Sequence, residues 1–327
     1  MMKCLVTGGA GFIGSHLVEK LINENRDLIV IDNLSTGNIK NLKNVKRKIK
    51  FVKLDISKNS KKLENLFKGV DQVFHLAALA DIVPSINDPI KYYNTNVTGT
   101  LNILNACKKN KVKKLIYAAS SSCYGIPEKY PINEKASIDT KYPYALTKYL
   151  AEELIIHWAK VYKMKNISLR FFNTYGPRSR TTGAYGAVFG VFLAQKINKK
   201  PLTIVGDGNQ TRDFLFVSDL VDAIFKISKK IHKPSIYNVA SGIETKVNKI
   251  AKIIGGPKIF IPERPGEPRR LKADIKKICR SIDWKPKINI DTGIKIMLNN
   301  INDWSKAPVW TRKKIKKETK NWFKYLK

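Results

Sequence analysis

The first half of the chain alternates short apolar runs with segments in which apolar residues recur at helical spacing. The apolar runs predict strands at residues 4–7, 28–32, 51–54, 73–76, 115–119 and 167–171. The segments of helical period predict helices at residues 15–21, 97–108 and 144–162. Strands that alternate with helices are typical of right-handed βαβ units. The pattern therefore predicts an α/β fold, with a doubly wound parallel sheet covered by helices on both faces.

The pattern changes after about residue 173. Short strand-like or helical stretches at residues 202–205, 218–227 and 236–240 then lie between turn-rich stretches at residues 176–186, 206–213 and 263–270. We expect residues 1–173 to form the sheet-bearing domain. Residues 174–327 are expected to form mainly a smaller C-terminal lobe that supplies loops to a binding site, with some segments returning to the first domain.

The composition narrows the class of protein. With 327 residues and 43% hydrophobic content, the chain can bury a large core. No stretch approaches the ~20 apolar residues that span a bilayer, and the strand pattern begins too early to leave room for a signal peptide. We therefore expect a cytoplasmic location. The cysteines lie far apart, without the spacing of a zinc site or of a disulfide framework, so we expect no metal.

The net charge of +35 allows two interpretations. It could attract nucleic acid, an anionic membrane or an anionic ligand, or it could reflect a general abundance of lysine. The lysines are scattered, and no nucleic-acid-binding motif is present. We favour the compositional interpretation and expect no nucleic-acid partner.

The C-terminal stretch 303–327 is rich in tryptophan and lysine and also allows two interpretations. It could be an amphipathic segment that rests on an anionic membrane. It could instead be a terminal helix that docks on the protein body through Trp310, Ile315, Trp322, Phe323 and Leu326. We favour the docked helix.

A glycine-rich turn follows the first predicted strand and precedes the first predicted helix. Residues 7–15 read TGGAGFIGS, in which Gly8, Gly11 and Gly14 allow a tight turn, a close approach of backbone to a pyrophosphate, and close packing of helix on sheet. Asp32 and Asn33 end the second strand. A carboxylate at that place accepts hydrogen bonds from the adenosine ribose and repels a 2′-phosphate. The arrangement predicts a Rossmann-type domain that binds NAD rather than NADP.

A tyrosine and a lysine four positions apart supply the candidate chemistry. Tyr144 and Lys148 share one face of the helix predicted at 144–162, so an ammonium can lie near a phenol. A phenol has a pKa near 10, and a neighbouring ammonium is expected to lower that pKa and make the phenol a base. Ser120 ends the fifth strand, where it can hydrogen-bond a hydroxyl of a ligand. We predict Ser120, Tyr144 and Lys148 as the catalytic residues.

These features belong to a set of motifs that runs in order through nearly the whole chain. The set comprises TGGAGFIGS at 7–15, DN at 32–33, HLAA at 75–78, NVTGT at 96–100, SSSCYG at 120–125, YALTK at 144–148, RFFNTYGPR at 170–178, GDGNQTRDF at 206–214 and RPGEPRR at 264–270. With these motifs the sequence resembles the extended short-chain dehydrogenase/reductase family. Within that family it is most similar to nucleotide-sugar epimerases and dehydratases, and above all to UDP-glucose and UDP-N-acetylglucosamine 4-epimerases.

The resemblance implies a cofactor site, a substrate site and a homodimer formed through the helices near 96–109 and 144–162. The cofactor site for NAD is expected at Gly8, Gly11, Phe12, Ile13, Gly14, Asp32, Asn33, Asp55, Ile56, Leu76, Ala77, Ala78, Asn96, Tyr144 and Lys148. The substrate site is expected at Ser121, Ser122, Asn173, Arg212, Arg264, Glu267 and Leu271. Asp55 could reach the adenine edge or could be a solvated strand-end carboxylate, and His75 is expected to be structural.

The resemblance also bears on the reaction. Related 4,6-dehydratases carry Asp-Glu where this chain has Ser121 and Ser122, and related UDP-glucuronate decarboxylases carry glutamate at the place of Ser122. The serines therefore favour a 4-epimerase that acts on a UDP-hexose through a transient 4-keto sugar. Leu271 stands where the family contacts the 2-substituent of the sugar, and it favours a non-acetylated hexose or a uronic acid over an N-acetylhexosamine.

Two alternatives stay open. The protein could be another nucleotide-sugar oxidoreductase that forms a 4-keto product, such as a dehydratase-like enzyme acting on an unusual hexose or heptose. It could also be an NAD-binding regulatory protein on the same fold, although the complete set of Ser120, Tyr144 and Lys148 argues against a loss of activity.

Overall fold

The computed structural model describes residues 1–179 and 187–326. In this part of the chain the strands are β1 (Lys3–Thr7), β2 (Asp27–Asp32), β3 (Ile49–Lys53), β4 (Gln72–His75), β5 (Lys114–Ser120), β6 (Lys165–Phe171), β7 (Asn173–Tyr175), β8 (Leu202–Val205), β9 (Thr211–Phe216), β10 (Ser235–Val239), β11 (Glu244–Lys246) and β12 (Lys258–Ile261). The α-helices are α1 (Phe12–Asn23), α2 (Lys61–Asn65), α3 (Ile82–Asn87), α4 (Pro89–Tyr93), α5 (Gly99–Lys109), α6 (Pro143–Val161), α7 (Val188–Ile197), α8 (Val217–Lys230), α9 (Val247–Ile254), α10 (Lys276–Ile282), α11 (Ile290–Asn299), α12 (Arg312–Glu318) and α13 (Lys320–Tyr325).

A seven-stranded parallel sheet organises the molecule, in the order β10-β6-β5-β4-β1-β2-β3. Its inner strands are buried on both faces, because successive side chains of one strand point to opposite sides and helices cover both sides of the sheet. Cys4 and Val6 of β1 join the core that contains α1 and α8, whereas Leu5 joins the core that contains α5 and α6. The predicted doubly wound parallel sheet is confirmed, and the six strands and three helices predicted for the first half all form.

The second half of the chain contributes to the large sheet as well as to smaller ones. Strand β10 pairs with β6 at the edge of the large sheet, and α8 packs on α1. The other strands form a three-stranded sheet, β11-β9-β7, and a two-stranded sheet, β12-β8. The late segments that pack directly on elements of the first half therefore include β10 and α8. Within the turn-rich stretch 176–186, residues 180–186 lie outside the described residues.

The C-terminal stretch docks on the protein body. The side chains of Ile315 and Trp322 are buried, and Trp310 packs against the main core. Phe323 and Leu326 are half-buried. The apolar side chains that a membrane-resting helix would need are thus largely engaged within the protein, while the lysines of α12 stay exposed. In the described residues no helix is long and apolar enough to span a membrane.

Candidate active site

A cavity of about 660 Å³ opens at the carboxyl ends of the parallel strands, where ligands bind in open α/β sheets. Residues from both halves of the chain line it. The lining includes all the predicted site residues except Asp55 and Asn96. The fold therefore brings the predicted cofactor, catalytic and substrate residues to one continuous space of the size that small-molecule sites usually have.

The glycine turn is packed so closely that side chains are excluded. A Cβ on Gly14 would lie 2.1 Å from the carbonyl oxygen of Gly8, and a Cβ on Gly8 would lie 2.7 Å from the backbone nitrogen of Ala77. Gly8 also has a φ of +71°, which favours glycine. Helix α1 begins after Gly11 without a side-chain cap, so its first N–H groups are available at the cavity. This turn fits the pyrophosphate of a dinucleotide.

Asp32 lies at the end of β2, beside the glycine turn. Its carboxylate accepts hydrogen bonds from the backbone N–H groups of Ala10, at 3.0 Å, and Leu34, at 2.8 Å. Burial raises the pKa of Asp32, and the two hydrogen bonds oppose that rise. A largely buried carboxylate that lines the cavity next to the phosphate-binding turn fits the adenosine ribose of NAD. Neighbouring Asn33 also lines the cavity, and its side chain accepts a hydrogen bond from Ser35 N–H.

Two residues predicted to touch the cofactor, Asp55 and Asn96, do not line the cavity. Asp55 accepts hydrogen bonds from the backbone N–H and the hydroxyl of Ser57, at 2.9 and 2.8 Å. Asn96 is buried, accepts from Leu79 N–H at 2.8 Å, and donates to Leu79 O and to the Thr147 hydroxyl, both at 3.0 Å. Asn96 thereby ties the loop after β4 to helix α6, and Asp55 caps its own turn.

Ser120 and Tyr144 meet at the centre of the cavity. Ser120 ends β5 and caps the short 3₁₀ turn Ser121–Tyr124, so its Oγ accepts from the backbone N–H of Ser122 at 3.2 Å and from the Ser122 hydroxyl at 2.8 Å. Tyr144 lies in the first turn of α6. Burial raises the pKa of the Tyr144 phenol, and hydrogen bonding with Ser120 and Ser122 opposes the rise. The serine hydroxyls thus favour the phenolate.

Lys148 is buried one turn along α6, and its ammonium faces an aromatic ring. Its Nζ lies 4.3 Å from the ring centroid of Tyr117. Burial lowers the pKa of Lys148 from its ordinary 10.5 to about 7, although the charge of Glu152 opposes that change. In the protein alone the net effect is a raised pKa of Tyr144, because burial disfavours the charged forms of both Tyr144 and Lys148.

His75 connects the first strand to the cavity wall. Its fully enclosed ring is hydrogen-bonded to the hydroxyl of Thr7 at 2.7 Å and to that of Thr100 at 2.9 Å, and Thr7 in turn accepts from Ala77 N–H. Burial, aided by the charge of Lys148, lowers the pKa of His75 to about 3. The ring is therefore neutral near pH 7, and its contacts agree with the structural role predicted for it.

Two arginines face the cavity from the second half of the chain and share one carboxylate. Glu267 accepts from Arg264 at 2.9 Å and from Arg212 at 3.4 Å. Both arginine side chains are only 13% exposed. Two guanidinium groups against one carboxylate leave one positive charge in excess, in a form suited to phosphate oxygens. Asn173 and Leu271 line the same region.

Sequence reasoning missed several cavity residues. The ring of Tyr142 is stacked parallel to that of Tyr144, with centroids 6.5 Å apart, and Trp322 lies 6.2 Å from Tyr142. Asp81 also lines the cavity, and its charge raises the pKa of Tyr144. The sequence YPY at residues 142–144 could have indicated that Tyr142 lies close to Tyr144. No local pattern links Trp322 to this region, because its neighbours here are distant in the sequence.

A buried ion pair joins α6 to strand β6. Arg170 of β6 and Glu152 of α6 are joined by a 2.5 Å contact and are at most 4% exposed. Arg170 also donates to the Tyr124 hydroxyl at 2.8 Å, and Tyr124 donates to Asn238 at 2.7 Å. This network links α6, which carries Tyr144 and Lys148, to the two adjacent strands β6 and β10.

The described residues contain no group of three or more His, Cys, Asp or Glu side chains that could hold a metal ion. All four cysteines are free thiols, and burial raises the pKa of each.

Comparisons with known proteins agree with the site. Residues 4–240 match the NAD dependent epimerase/dehydratase family. A Methanocaldococcus jannaschii protein, provisionally named a UDP-glucose 4-epimerase, is 40% identical over 302 residues, which cover 90% of this chain and 97% of that protein. The crystal structure of Thermotoga maritima UDP-glucose 4-epimerase with UDP-glucose has a TM-score of 0.87 at 32% identity, covering 92% of this chain and 99% of that one. A Bacillus cereus UDP-glucuronic acid 4-epimerase, in complex with UDP-glucuronic acid and NAD, has a TM-score of 0.85 at 30% identity, with 92% and 99% coverage.

The family predicted from the sequence motifs is thereby confirmed, and with it the NAD cofactor. The matched region contains the glycine turn, Asp32 and the Ser120, Tyr144 and Lys148 set, and the solved structures extend the likeness over the second half of the chain. This chain belongs to the NAD-dependent epimerase/dehydratase family.

Proposed function

We propose that the protein is a 4-epimerase of a nucleotide-diphosphate hexose, with UDP-hexoses as the substrate class. One observation carries the proposal: Ser120, Tyr144 and Lys148 border the same cavity as the paired arginines, and the two residues after Ser120 are Ser121 and Ser122. A dehydratase needs an acid beside the catalytic hydroxyl to protonate a leaving hydroxyl, and these two positions offer only hydroxyls. Oxidation and reduction at C4 need no such acid.

The residues divide the proton chemistry between them. Tyr144 would take the proton of the C4 hydroxyl and later return it, while Ser120 hydrogen-bonds the reacting oxygen. Lys148, with a pKa of about 7, can change its charge near neutral pH and so influence Tyr144. The glycine turn and Asp32 would hold NAD+, which would supply reversible hydride transfer at C4 and a positive charge that favours the Tyr144 phenolate. The 4-keto sugar would present its opposite face before it is reduced.

The remaining cavity residues would hold the cofactor and the nucleotide. The turn of Gly8, Gly11 and Gly14 would bind the NAD pyrophosphate, and Asp32 its adenosine ribose. The arginine pair, Arg212 and Arg264, would bind the substrate diphosphate. The choice of uridine rests on the Thermotoga maritima and Bacillus cereus structures, which contain UDP-sugars.

The sugar is expected to be a hexose or a uronic acid. Leu271 lines the cavity as part of a small apolar cluster with Cys123 and Phe172. Its side chain is larger than the residues that accompany N-acetyl groups in the resembling family. We therefore expect UDP-glucose, UDP-galactose or UDP-glucuronate to be turned over faster than UDP-N-acetylglucosamine.

An NMR assay without added cofactor tests the proposal. Purified protein is incubated with UDP-glucose, UDP-galactose, UDP-glucuronate, UDP-N-acetylglucosamine and GDP-mannose separately. A C4 epimer from a UDP-hexose is expected, with NAD recovered from the denatured protein. A 4-keto-6-deoxy product would contradict epimerisation and would assign the acid role of a dehydratase to Asp81, the carboxylate in the cavity that acts on Tyr144.

Substitution of the base provides a second test. Tyr144→Phe keeps the ring and removes the hydroxyl, so turnover is expected to fall by roughly 10²–10⁴-fold while NAD stays bound. Tyr162→Phe makes the same chemical change just beyond the far end of α6, at a partly exposed residue, and serves as the control. Full turnover by the Tyr144→Phe protein would rule out the proposed base.

A further inference from the structure

The C-terminal stretch forms part of the cavity wall. Its residues Ala307, Pro308, Trp310 and Trp322 line the cavity together with the glycine turn and the catalytic residues. Helix α13, which carries Trp322, packs on α3, and Asn321 donates to the side chain of Asn87 at 2.9 Å. The end of the chain is therefore in place to act on the ligand, although it is far in sequence from the predicted site residues.

Trp322 is held on several sides. Its ring is 1% exposed, and its indole N–H donates to the carbonyl oxygen of Pro265 at 2.7 Å. The guanidinium carbon of Arg264 lies 5.4 Å from the ring centroid of Trp322, within the range of a cation–π contact. Tyr142 lies on another side, 6.2 Å from Trp322 and stacked on Tyr144. Trp322 thus connects Arg264 to the tyrosines of the catalytic helix.

Arg264 needs such support because it is in an irregular loop. The loop runs from the end of β12 to the start of α10, and it turns at Gly266, whose φ is +74°. An arginine side chain loses much rotamer freedom when it is fixed, and a loop does not fix it through packing of a regular element. Here Glu267 accepts a hydrogen bond from the guanidinium, and the guanidinium carbon lies within cation–π range of the Trp322 ring, so these contacts order the group before a ligand arrives.

We propose that Trp322 is a positioning residue for the substrate diphosphate: its ring makes a cation–π contact with Arg264 and its indole N–H donates to Pro265 O, and so it makes the docked C-terminal helix α13 part of the nucleotide site. This inference rests on the proposed function, because it takes Arg264 as a diphosphate ligand. Since coupling between two sites is reciprocal, nucleotide binding and docking of α13 stabilise each other.

The test measures UDP affinity by calorimetry on the full, NAD-loaded protein. Trp322→Leu keeps an apolar side chain but removes the aromatic face and the N–H, so it is expected to raise the Kd of UDP roughly five- to thirtyfold. Trp322→Phe keeps a ring face and is expected to fall between Trp322→Leu and wild type. Tyr325→Leu makes the aromatic-to-leucine change at an exposed residue of the same helix and is expected to match wild type. In turnover, KM is expected to rise with the Kd while kcat changes by less than about threefold.

A double variant tests whether Trp322 acts through Arg264. In an Arg264→Gln background, Trp322→Leu is expected to cause little further loss of UDP affinity, because the group that it positions is gone. An equal loss in both backgrounds would mean that Trp322 acts elsewhere, and it would overturn the inference. Unchanged UDP affinity in a folded Trp322→Leu or Trp322→Phe protein would do the same.

A hydrogen-exchange measurement on wild type tests the inference without any variant. Addition of UDP is expected to slow amide hydrogen exchange in residues 320–325 as well as in residues 263–268. Protection of 263–268 alone would overturn the coupling to α13. If wild type binds neither UDP, dTDP nor GDP, the failure lies with the proposed function and not with Trp322, and the two outcomes are therefore distinguishable.

Discussion

Burial of the Lys148 ammonium is expected to lower the free energy of unfolding. Replacing Lys148 with an apolar residue is therefore expected to raise it. The side chain is 4% exposed, and its pKa falls from the ordinary 10.5 to about 7 in the folded protein. The difference of about 3.5 units corresponds to at most about 5 kcal/mol in the free energy of unfolding, at about 1.36 kcal/mol per unit. Lys148→Met replaces the ammonium with an apolar group of similar length, so the variant is expected to be more stable than wild type near neutral pH, and inactive.

The sign of the pH dependence follows from the two pKa values. In the unfolded chain Lys148 keeps its proton up to about pH 10.5, whereas in the folded chain it loses the proton near pH 7. The folded state is therefore penalised fully below pH 7, and the penalty shrinks by about 1.4 kcal/mol per pH unit until it vanishes near pH 10.5. Lys148→Met also removes the cation–π contact with the Tyr117 ring, which reduces the stabilisation by about 0.5–2 kcal/mol where Lys148 is charged. A net stabilisation of about 3 kcal/mol is expected at pH 6, falling to about 1.4 kcal/mol at pH 9.5 and to none near pH 10.5.

Urea unfolding at pH 6, 8 and 9.5 of protein freed of NAD measures this difference. Lys160→Met, at an exposed lysine of the same helix, is the control and is expected to change stability by less than about 0.5 kcal/mol at every pH. A stability difference between Lys148→Met and wild type that does not vary with pH would refute the reasoning. A Lys148→Met protein that is less stable at pH 6 would refute it as well.

Two further variants test the packing around the site. Gly14→Ala places a Cβ 2.1 Å from the Gly8 carbonyl oxygen, so the turn must open; the protein is expected to be purified without NAD, and stoichiometric NAD in the denatured supernatant would contradict this. Glu152→Gln leaves Arg170 with an uncompensated buried charge and is expected to destabilise the fold by about 3–5 kcal/mol in urea unfolding, whereas a loss below about 1 kcal/mol would show that the pair is not needed.

The first half of the molecule was predictable because its signals are local. Each of its strands is a short apolar run, and the ends of parallel strands fall at one edge of a sheet, so Asp32 and Ser120 could be placed together without knowledge of side-chain contacts. The same rule does not settle the role of Asp55. That residue lies two positions beyond the end of β3, and its carboxylate accepts hydrogen bonds from the backbone N–H and the hydroxyl of Ser57, so spacing alone does not separate a turn from a ligand contact.

The second half depends on contacts between distant residues, which the hydrophobic pattern does not encode. Strand β10 pairs with β6 through backbone hydrogen bonds, and nothing in its own residues identifies that neighbour. Glu267 was expected in the substrate site, but its contacts with both Arg264 and Arg212 could not be read from its position in the sequence. Trp322 was predicted to dock, which it does, but its place beside Arg264 could be seen only in the folded chain.

The net charge of the protein does not specify a ligand, whereas the residues of the cavity do. The net charge of +35 arises mostly from scattered, exposed lysines, and it would suit many anionic partners equally. The cavity is more selective, because a few buried or half-buried groups set its polarity: the Asp32 carboxyl group lies beside the glycine turn, and Arg212 and Arg264 outnumber Glu267 elsewhere in the lining. A ligand that brings ribose hydroxyls to Asp32 and phosphates to the arginines is favoured by that polarity. Conversely, neutralising surface lysines should slow the encounter with such a ligand without changing which ligand is preferred.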